Sequence, residues 1–491
     1  MKILFIYSLE LAISVEKPLY SYEFLQFGIS HLSSFLKHNN HDTNLQILSR
    51  SFGKKNHSII SKKIKDYQPE IIGFYSVSTE YKFISGISRF IKTNYPDIFL
   101  IIGGPHSTLK PEEVSGDDFD AICIGEGERS ILELANTLKN GESPSGIKNL
   151  WIKNNGAIEK NPLADFFQDI DLLPFADREM WEESVDYKPN LLEQNISILL
   201  GLGCPFNCTY CINHVLRKIT GGNYIRHRSP QNIIKEIKLL HAKYPLEKSM
   251  FLELDSFNVN SKWATGLCDE IEKFNRSIDT PLSFRINIRI MQNTNLRSLF
   301  KTFKRANITS LNIGIESGSM RVREEVLKRK YSNRDILGII DLAKKYEIDY
   351  NFFIMIGLPG ETHKDFKESI KICRISQPKE IMEYIFYPYP GTDLYEYCKK
   401  NNLLNKVKDV KLERRQVAIE LPDFTRTQEI RGYLWFHYNV YKGYRSRIKL
   451  ILQVIIKMMR SSPFIILIFA KFFNSDLMIK LKKYLIRFYF K

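Results

Sequence analysis

The chain has 491 residues, 44% hydrophobic and 26% charged, an ordinary balance for a folded protein and enough for two or three cores. Its net charge of +16 is uneven: Tyr441 to Lys491 holds twelve Lys/Arg against the single acid Asp476, so +11 lies in the last tenth and +5 elsewhere. That distribution argues against a nucleic-acid-binding face on the main body, and seven cysteines, three of them in one tight run, argue against a disulfide framework and suit a reducing cytoplasm.

The opening MKILFIYSLE reads as a strand and lacks a signal-peptide cleavage pattern. Short apolar runs at 3–7, 45–48, 71–77, 98–104 and 121–125 alternate with amphipathic stretches at 28–37, 81–93 and 128–138. Continuous apolar strands alternating with helices predict a parallel, doubly wound α/β sheet over residues 1–138. Ligands bind such sheets at the carboxyl ends of the strands. Small residues collect there: Ser76, Ser78 and Thr79, then Gly103 and Gly104, then Gly125, Glu126 and Gly127. Loops of that kind let a large flat ligand approach the backbone. Residues 139–192, with NGESPSG and NNG, read as a turn-rich linker.

A second α/β series fills 193–400. Its predicted strands are 196–201, 250–255, 282–288, 310–315, 350–356 and 380–387, with helical patterns at 231–243, 266–273, 320–328 and 335–346. Six βα units in about 200 residues predict a partial parallel barrel with its active residues at the strands' carboxyl ends. Residues 401–491 read as helical and increasingly basic, with apolar stretches at 448–459 and 463–473. No uninterrupted apolar stretch of about 18 residues predicts a spanning helix. The basic tail instead has the character of a membrane-surface helix, or of a cover for the barrel's open side.

Directly after the strand ISILLG comes Cys204-Pro-Phe-Asn-Cys208-Thr-Tyr-Cys211. Three thiolates in one loop suit a four-iron cluster with one iron left open. Zinc would need a fourth ligand, for which His214 is the nearest candidate. Cys123, Cys268, Cys373 and Cys398 are scattered and read as small buried hydrophobes.

This Cx3Cx2C loop, with Tyr210 before its last cysteine, resembles the radical S-adenosylmethionine superfamily. So do the phrases Gly314-Ile315-Glu316-Ser317-Gly318, Gly357-Leu358-Pro359-Gly360-Glu361-Thr362 and Tyr389-Pro390-Gly391-Thr392. The first 138 residues, through Gly103-Gly104-Pro105-His106 and Gly125-Glu126-Gly127-Glu128, resemble the cobalamin-binding, Rossmann-like domain of the B12-dependent branch. The resemblance covers about residues 1–400 and implies three cofactors: a [4Fe-4S] cluster on Cys204, Cys208 and Cys211, S-adenosylmethionine on its open iron, and cobalamin. It implies that Asp255 touches the methionyl amino group or the substrate, and that Arg289 pairs with the methionyl carboxylate. By the same resemblance Glu316 and Ser317 reach the nucleoside or methionyl group, Gly357 lets adenine or backbone come close, and the small-residue loops of the first domain hold the corrin. The D-x-H-x-x-G loop that supplies a cobalt-binding histidine is absent, so cobalamin is expected base-off.

The activity implied is radical methyl transfer to an unactivated carbon of a small-molecule or lipid-like substrate, with electrons from a donor such as flavodoxin or ferredoxin. A cyclase or oxidase that uses the same cofactors without methyl transfer is the alternative. A non-catalytic iron–sulfur or corrinoid carrier is the reading of another class. The catalytic side chains are left unassigned, no nucleic-acid partner is expected, and the expected location is cytoplasmic with peripheral membrane contact through the tail.

Overall fold

A computed structural model describes residues 1–8, 25–154, 156–184, 196–292, 295–404 and 413–461. The first sheet contains β1 (Lys2–Ser8), β2 (Asp42–Leu48), β3 (Ile71–Tyr75), β4 (Phe99–Gly103), β5 (Ala121–Cys123), β6 (Leu150–Asn154) and β7 (Ala157–Lys160), in the order β2-β1-β3-β4-β5-β6-β7. The first five pair in parallel. β1 and β3 are buried on both faces, as expected of strands covered by helices on either side, and one apolar cluster lies on each face.

The boundary at residue 138 needs correction. β6 and β7 form a hairpin that pairs antiparallel with β5, Ala121 opposite Ile152, so the first sheet runs on to Lys160. LWIKN and AIEK carry polar residues and sit among turn signals, because an edge hairpin needs only one apolar face. Of the remaining linker, 161–184 packs along the first domain: Asp177 accepts from Ser33 Oγ at 2.6 Å, and Trp181 Nε1 donates to Ser30 Oγ at 2.8 Å. Residues 185–195 lie outside the described set.

The second sheet has six parallel strands: β8 (Ile196–Leu199), β11 (Ser249–Glu253), β12 (Ser283–Ile288), β13 (Ile308–Glu316), β14 (Asp349–Ile356) and β15 (Glu380–Ile385). A short antiparallel pair, β9 (Gly201–Leu202) and β10 (Arg226–His227), frames the cysteine loop. The six strands neighbour one another in chain order, with β8 and β15 at the two edges. This is barrel connectivity opened between first and last strand. The outward row Ile198, Leu252, Ile286, Leu311 and Tyr350 is buried in a single core under the helices. The opposite face is polar: Asn351 donates to Asn312 at 3.1 Å and Asn312 to Asn287 at 3.1 Å, a ladder across three strands.

Where the sequence pattern suggested a helix at 320–328, a single π turn, Val322–Val326, is found. Its wide turn lets the buried Arg323 donate to Ser317 O at 2.8 Å and Asn333 Oδ1 at 2.6 Å. After the barrel, helices Arg426–Tyr441 and Arg447–Arg460 pack on each other, and the first of them lies against β15. Glu383 on the outer face of β15 accepts from His437 at 2.7 Å and is bonded to Lys457. The tail helices therefore cover the barrel's last strand. The apolar stretch at 463–473 and the rest of the tail lie outside the described residues.

Candidate active site

The cysteine loop is built by close backbone approach. Gly203 has φ +85°, and a Cβ there would stand 2.2 Å from Tyr224 O; a Cβ at Gly201 would stand 2.5 Å from Arg226 O. Only glycine lets β9 and β10 pair this tightly and turn the chain into Cys204. Cys208 O accepts from Cys211 N at 3.0 Å, and Thr209 is tied to Val326 O at 2.6 Å. Tyr210 points away from the loop: its hydroxyl donates to Glu316 Oε1 at 3.0 Å and accepts from Arg329 Nη1 at 2.8 Å.

Cys204 and Cys208 are buried, Cys211 is half-buried, and all three are free thiols. Burial pushes the Cys204 thiol up to about 11 and raises Cys211 as well. A bound cation reverses that order and holds thiols deprotonated. Positive and N–H groups already face the sulfurs: Arg289 Nη1 donates to Cys208 Sγ at 3.1 Å, and Asn213 N lies 3.5 Å from Cys211 Sγ. Among the described residues no three His, Cys, Asp or Glu side chains form a site for a single metal ion. Three thiolates, one for each of three irons, fit a four-iron cluster with one iron open, whereas a structural zinc ion takes four ligands. His214 turns from the thiols, its Nε2 2.9 Å from Asp393.

Asp255, Arg289 and Glu316 follow β11, follow β12 and end β13, so the barrel brings them to one mouth with the thiols. Asp255 is reached by solvent there and accepts from Asn213 Nδ2 at 3.0 Å; desolvation raises its carboxyl and the bond from Asn213 opposes this. Arg289 lies with its guanidinium carbon 3.7 Å over the Phe206 ring, and Asn258 holds its backbone on both sides. Glu316 sits at φ +64°, an unusual conformation outside glycine, paired with Arg329 at 2.8 Å. Ser317 is not brought to the mouth: it is fully buried and accepts from Ser319 N at 3.2 Å. Gly357, at φ +78°, is approached by protein, since a Cβ there would meet Glu429 Oε2 at 2.3 Å.

In the first domain the structure gathers Ser76, Ser78 and Thr79 after β3, Gly103 and Gly104 at the end of β4, and Gly125 to Gly127 after β5 on one sheet edge. Gly104 has φ +104°, and a Cβ there would lie 2.8 Å from Ser76 O. Ser76 Oγ donates within its own loop, and Ser78 Oγ meets His106 Nδ1 at 3.2 Å. Among the described residues, buried His106 Nε2 and Ser107 Oγ have no hydrogen-bond partner. Small residues with unspent polar atoms fit a broad, polar-fringed ligand such as a corrinoid. Glu126 does something the sequence did not suggest: its carboxylate accepts from Arg226 at 2.6 and 3.1 Å and from Phe167 N at 2.7 Å. That ion pair, with Ile219 beside Gly125 and Leu109 beside Gly391, sets the edge of the first sheet against the mouth of the second. Arg226, Arg329 and Glu429 were not among the expected site residues; their partners are 100, 119 and 68 residues away, and no local signal marks them.

Residues 198–373 match the Radical SAM superfamily, and residues 20–135 match the B12 binding domain. An uncharacterized methyltransferase of Pyrococcus horikoshii is 28% identical over 82% of this chain and 84% of its own length. The anaerobic magnesium-protoporphyrin IX monomethyl ester cyclase of Rubrivivax gelatinosus is 23% identical over 69% of this chain and 60% of its own length. Among solved structures, the radical S-adenosylmethionine methyltransferase TsrM of Kitasatospora setae, with cobalamin and a [4Fe-4S] cluster bound, superposes with a TM-score of 0.64 at 15% identity, covering 82% of this chain and 75% of that one. The enzyme's cofactors are accordingly a [4Fe-4S] cluster, S-adenosylmethionine and cobalamin. Thiol loop, open barrel and small-residue sheet edge agree with the two matches: the chain carries a B12-binding domain followed by a radical S-adenosylmethionine domain.

Proposed function

We propose that this enzyme transfers a methyl group to an unactivated carbon of a small-molecule or lipid-like substrate. The observation that carries the reading is the apposition of two strand-end edges, one bearing the three thiols and the other the Gly104 and Gly125 loops, joined by Glu126 and Arg226. When bound, the cluster and S-adenosylmethionine supply a 5′-deoxyadenosyl radical, and cobalamin supplies the methyl group. The chain's own part is to position. Arg289 offers a guanidinium beside Cys208 for the methionyl carboxylate, and Asp255 an acceptor for the methionyl amino group. Glu316 and Gly357 stand on the nucleoside side at the ends of β13 and β14, with Ser317 buried in the turn that follows Glu316. Ser76, Ser78, Thr79, Gly103, Gly104, Gly125 and Gly127 line the corrin side, while Glu126 fixes their loop. Holding the reacting groups between two rigid sheets replaces a chance encounter by a fixed one.

The test is anaerobic reconstitution with isotopically labelled S-adenosylmethionine. About four irons and one cobalt per chain, with label in the product, support the reading. A product without label shifts it to the cyclase or oxidase chemistry that the Rubrivivax relative suggests. No 5′-deoxyadenosine at all leaves only a carrier.

The finer assignments are an electron donor of the flavodoxin or ferredoxin kind and a cytoplasmic location with peripheral membrane contact. No helix among the described residues is long and apolar enough to cross a membrane. Helix Arg447–Arg460 buries Leu450 and Val454 while Ile448, Ile451 and Ile455 stay exposed, and it carries basic residues without an acid. Such a face suits an anionic bilayer surface. Flotation with anionic vesicles tests it: I451S/I455S should lower recovery in the lipid fraction, and unchanged recovery would overturn the contact.

A further inference from the structure

The barrel's inner face changes character toward β15. Strand register places Gly314, Phe353 and Met382 in one row, and Met355 and Tyr384 in the row above it. Glu383, the neighbour of Tyr384, bonds His437 and Lys457 on the outer side, so Tyr384 faces the lumen. Phe353 and Tyr384 lie nearly parallel, 6.5 Å apart.

Over this wall stands Arg414. Its guanidinium carbon is 5.5 Å from the centres of both the Tyr384 and the Tyr389 rings. Its backbone is locked: the carbonyl accepts from Ile385 N at 2.8 Å, completing the end of β15, and φ is +63°. A non-glycine residue held in the left-handed region is strained, and such strain collects at ligand clamps. The Nε edge is used within the protein, donating to Tyr389 Oη at 2.7 Å with Glu413 at 3.4 Å, and Glu413 also bonds the Tyr389 hydroxyl. Neither Nη has a hydrogen-bond partner among the described residues, and the side chain is 47% exposed. A guanidinium fixed through one edge and free on the other is arranged to receive an oxyanion in two parallel bonds.

We propose that Arg414 is the substrate's anion clamp: the molecule entering the barrel carries a carboxylate, phosphate or phosphonate that docks on the Nη pair, with its flat or apolar body against Phe353 and Tyr384. This rests on the reading of the barrel mouth as the place of the radical reaction. It narrows the substrate to an anionic class, read at the β15 edge of the barrel and not at the thiol loop.

The test uses the reconstituted full-length enzyme and fluorine NMR line broadening with three probes: 4-fluorobenzoate, 4-fluorophenylphosphonate and the neutral 4-fluorobenzamide. The two oxyanions should bind at least ~10-fold more tightly than the amide. Their relative affinity tells a carboxylate site from a phosphonate site. R414Q should erase the preference, with iron content and cluster absorbance reporting that the fold is retained. R414K keeps the charge without the fork and should keep a weaker preference, which decides the matter should R414Q fail to hold iron. Equal binding of all three probes to the wild type, a preference retained in R414Q, or none in an iron-loaded R414K overturns the proposal. Reductive cleavage of S-adenosylmethionine by the same wild-type preparation tests the underlying reading separately. Cleavage without an oxyanion preference would sink the clamp alone.

Discussion

Between Cys208 and Cys211 the Tyr210 side chain leaves the thiol loop and enters a network with Glu316 and Arg329, both largely buried. Arg329 also donates to Gly314 O at 2.7 Å, so one guanidinium holds the end of β13 and, through Tyr210, the cysteine loop. Removing one partner of a buried ion pair strands the other charge. Arg329→Leu should therefore destabilise the fold by about 3–5 kcal/mol in urea unfolding, whereas Tyr210→Phe, which deletes one hydroxyl, should cost about 0.5–1.5 kcal/mol. Gly203 holds the entry to the same loop. Alanine there would need φ +85° and a Cβ 2.2 Å from Tyr224 O. Gly203→Ala should lose most of its iron on reconstitution while far-ultraviolet circular dichroism stays close to wild type. A full iron complement would show that the loop can relax. The three cysteines were legible because their spacing is local. Arg329 was not, because what selects it is a tyrosine 119 residues away.

At the scale of elements, the loop after β14 and helix Arg426–Tyr441 meet through two carboxyls. Glu361 Oε2 accepts from Gly357 N at 2.7 Å and Leu358 N at 3.1 Å, while its Oε1 and both oxygens of Glu429 are buried without a hydrogen-bond partner among the described residues. Burial pushes each carboxyl up to about 8; Asp365 pushes Glu361 further, Glu361 pushes Glu429 further, and Arg321 and Arg426 oppose the shifts. The unfolded chain titrates glutamate near ~4.3. Between that value and about 8 the folded state binds more protons, so the contribution of the pair is fully present at low pH and is lost as pH rises. Glu429→Gln removes one titration and the mutual repulsion. The urea midpoint of the variant should fall less than that of wild type between about pH 5 and pH 9, a relative gain of about 1–3 kcal/mol at the upper end. Parallel curves would mean that the two carboxyls do not share this cost. Strand β14 was legible from its apolar run, as was most of the barrel, whereas the helix was covered only by a broad helical reading of residues 401–491 because its apolar residues do not gather on one face. Their meeting was not legible, since a buried glutamate looks like any surface glutamate until its neighbours are known. The β6–β7 hairpin was missed for the converse reason: an edge element shows too little apolar pattern to stand out.

Over the whole molecule, the chemistry proposed needs two domains to present their strand ends to one another, and the Glu126–Arg226 pair is the ionic part of the junction that also seats Ile219 at Gly125 and Leu109 at Gly391. Arg226 is 4% exposed at its side chain and Glu126 25%, so the pair is shielded enough to matter. It also fixes position, because Glu126 lies between Gly125 and Gly127, and Asn149 Nδ2 donates to Glu126 O at 2.8 Å. Breaking the pair from the barrel side separates its two roles. Arg226→Ala leaves the first sheet's edge intact but frees its loop, while the three thiols and Arg289 keep their places. Iron content should stay near wild type. Cobalamin should bind about tenfold more weakly, read as cobalt retained per chain after desalting across a cobalamin titration. A loss of iron with cobalt unchanged would place the function of Arg226 in the cysteine loop, through β10 and Gly201, and not in the junction between the domains.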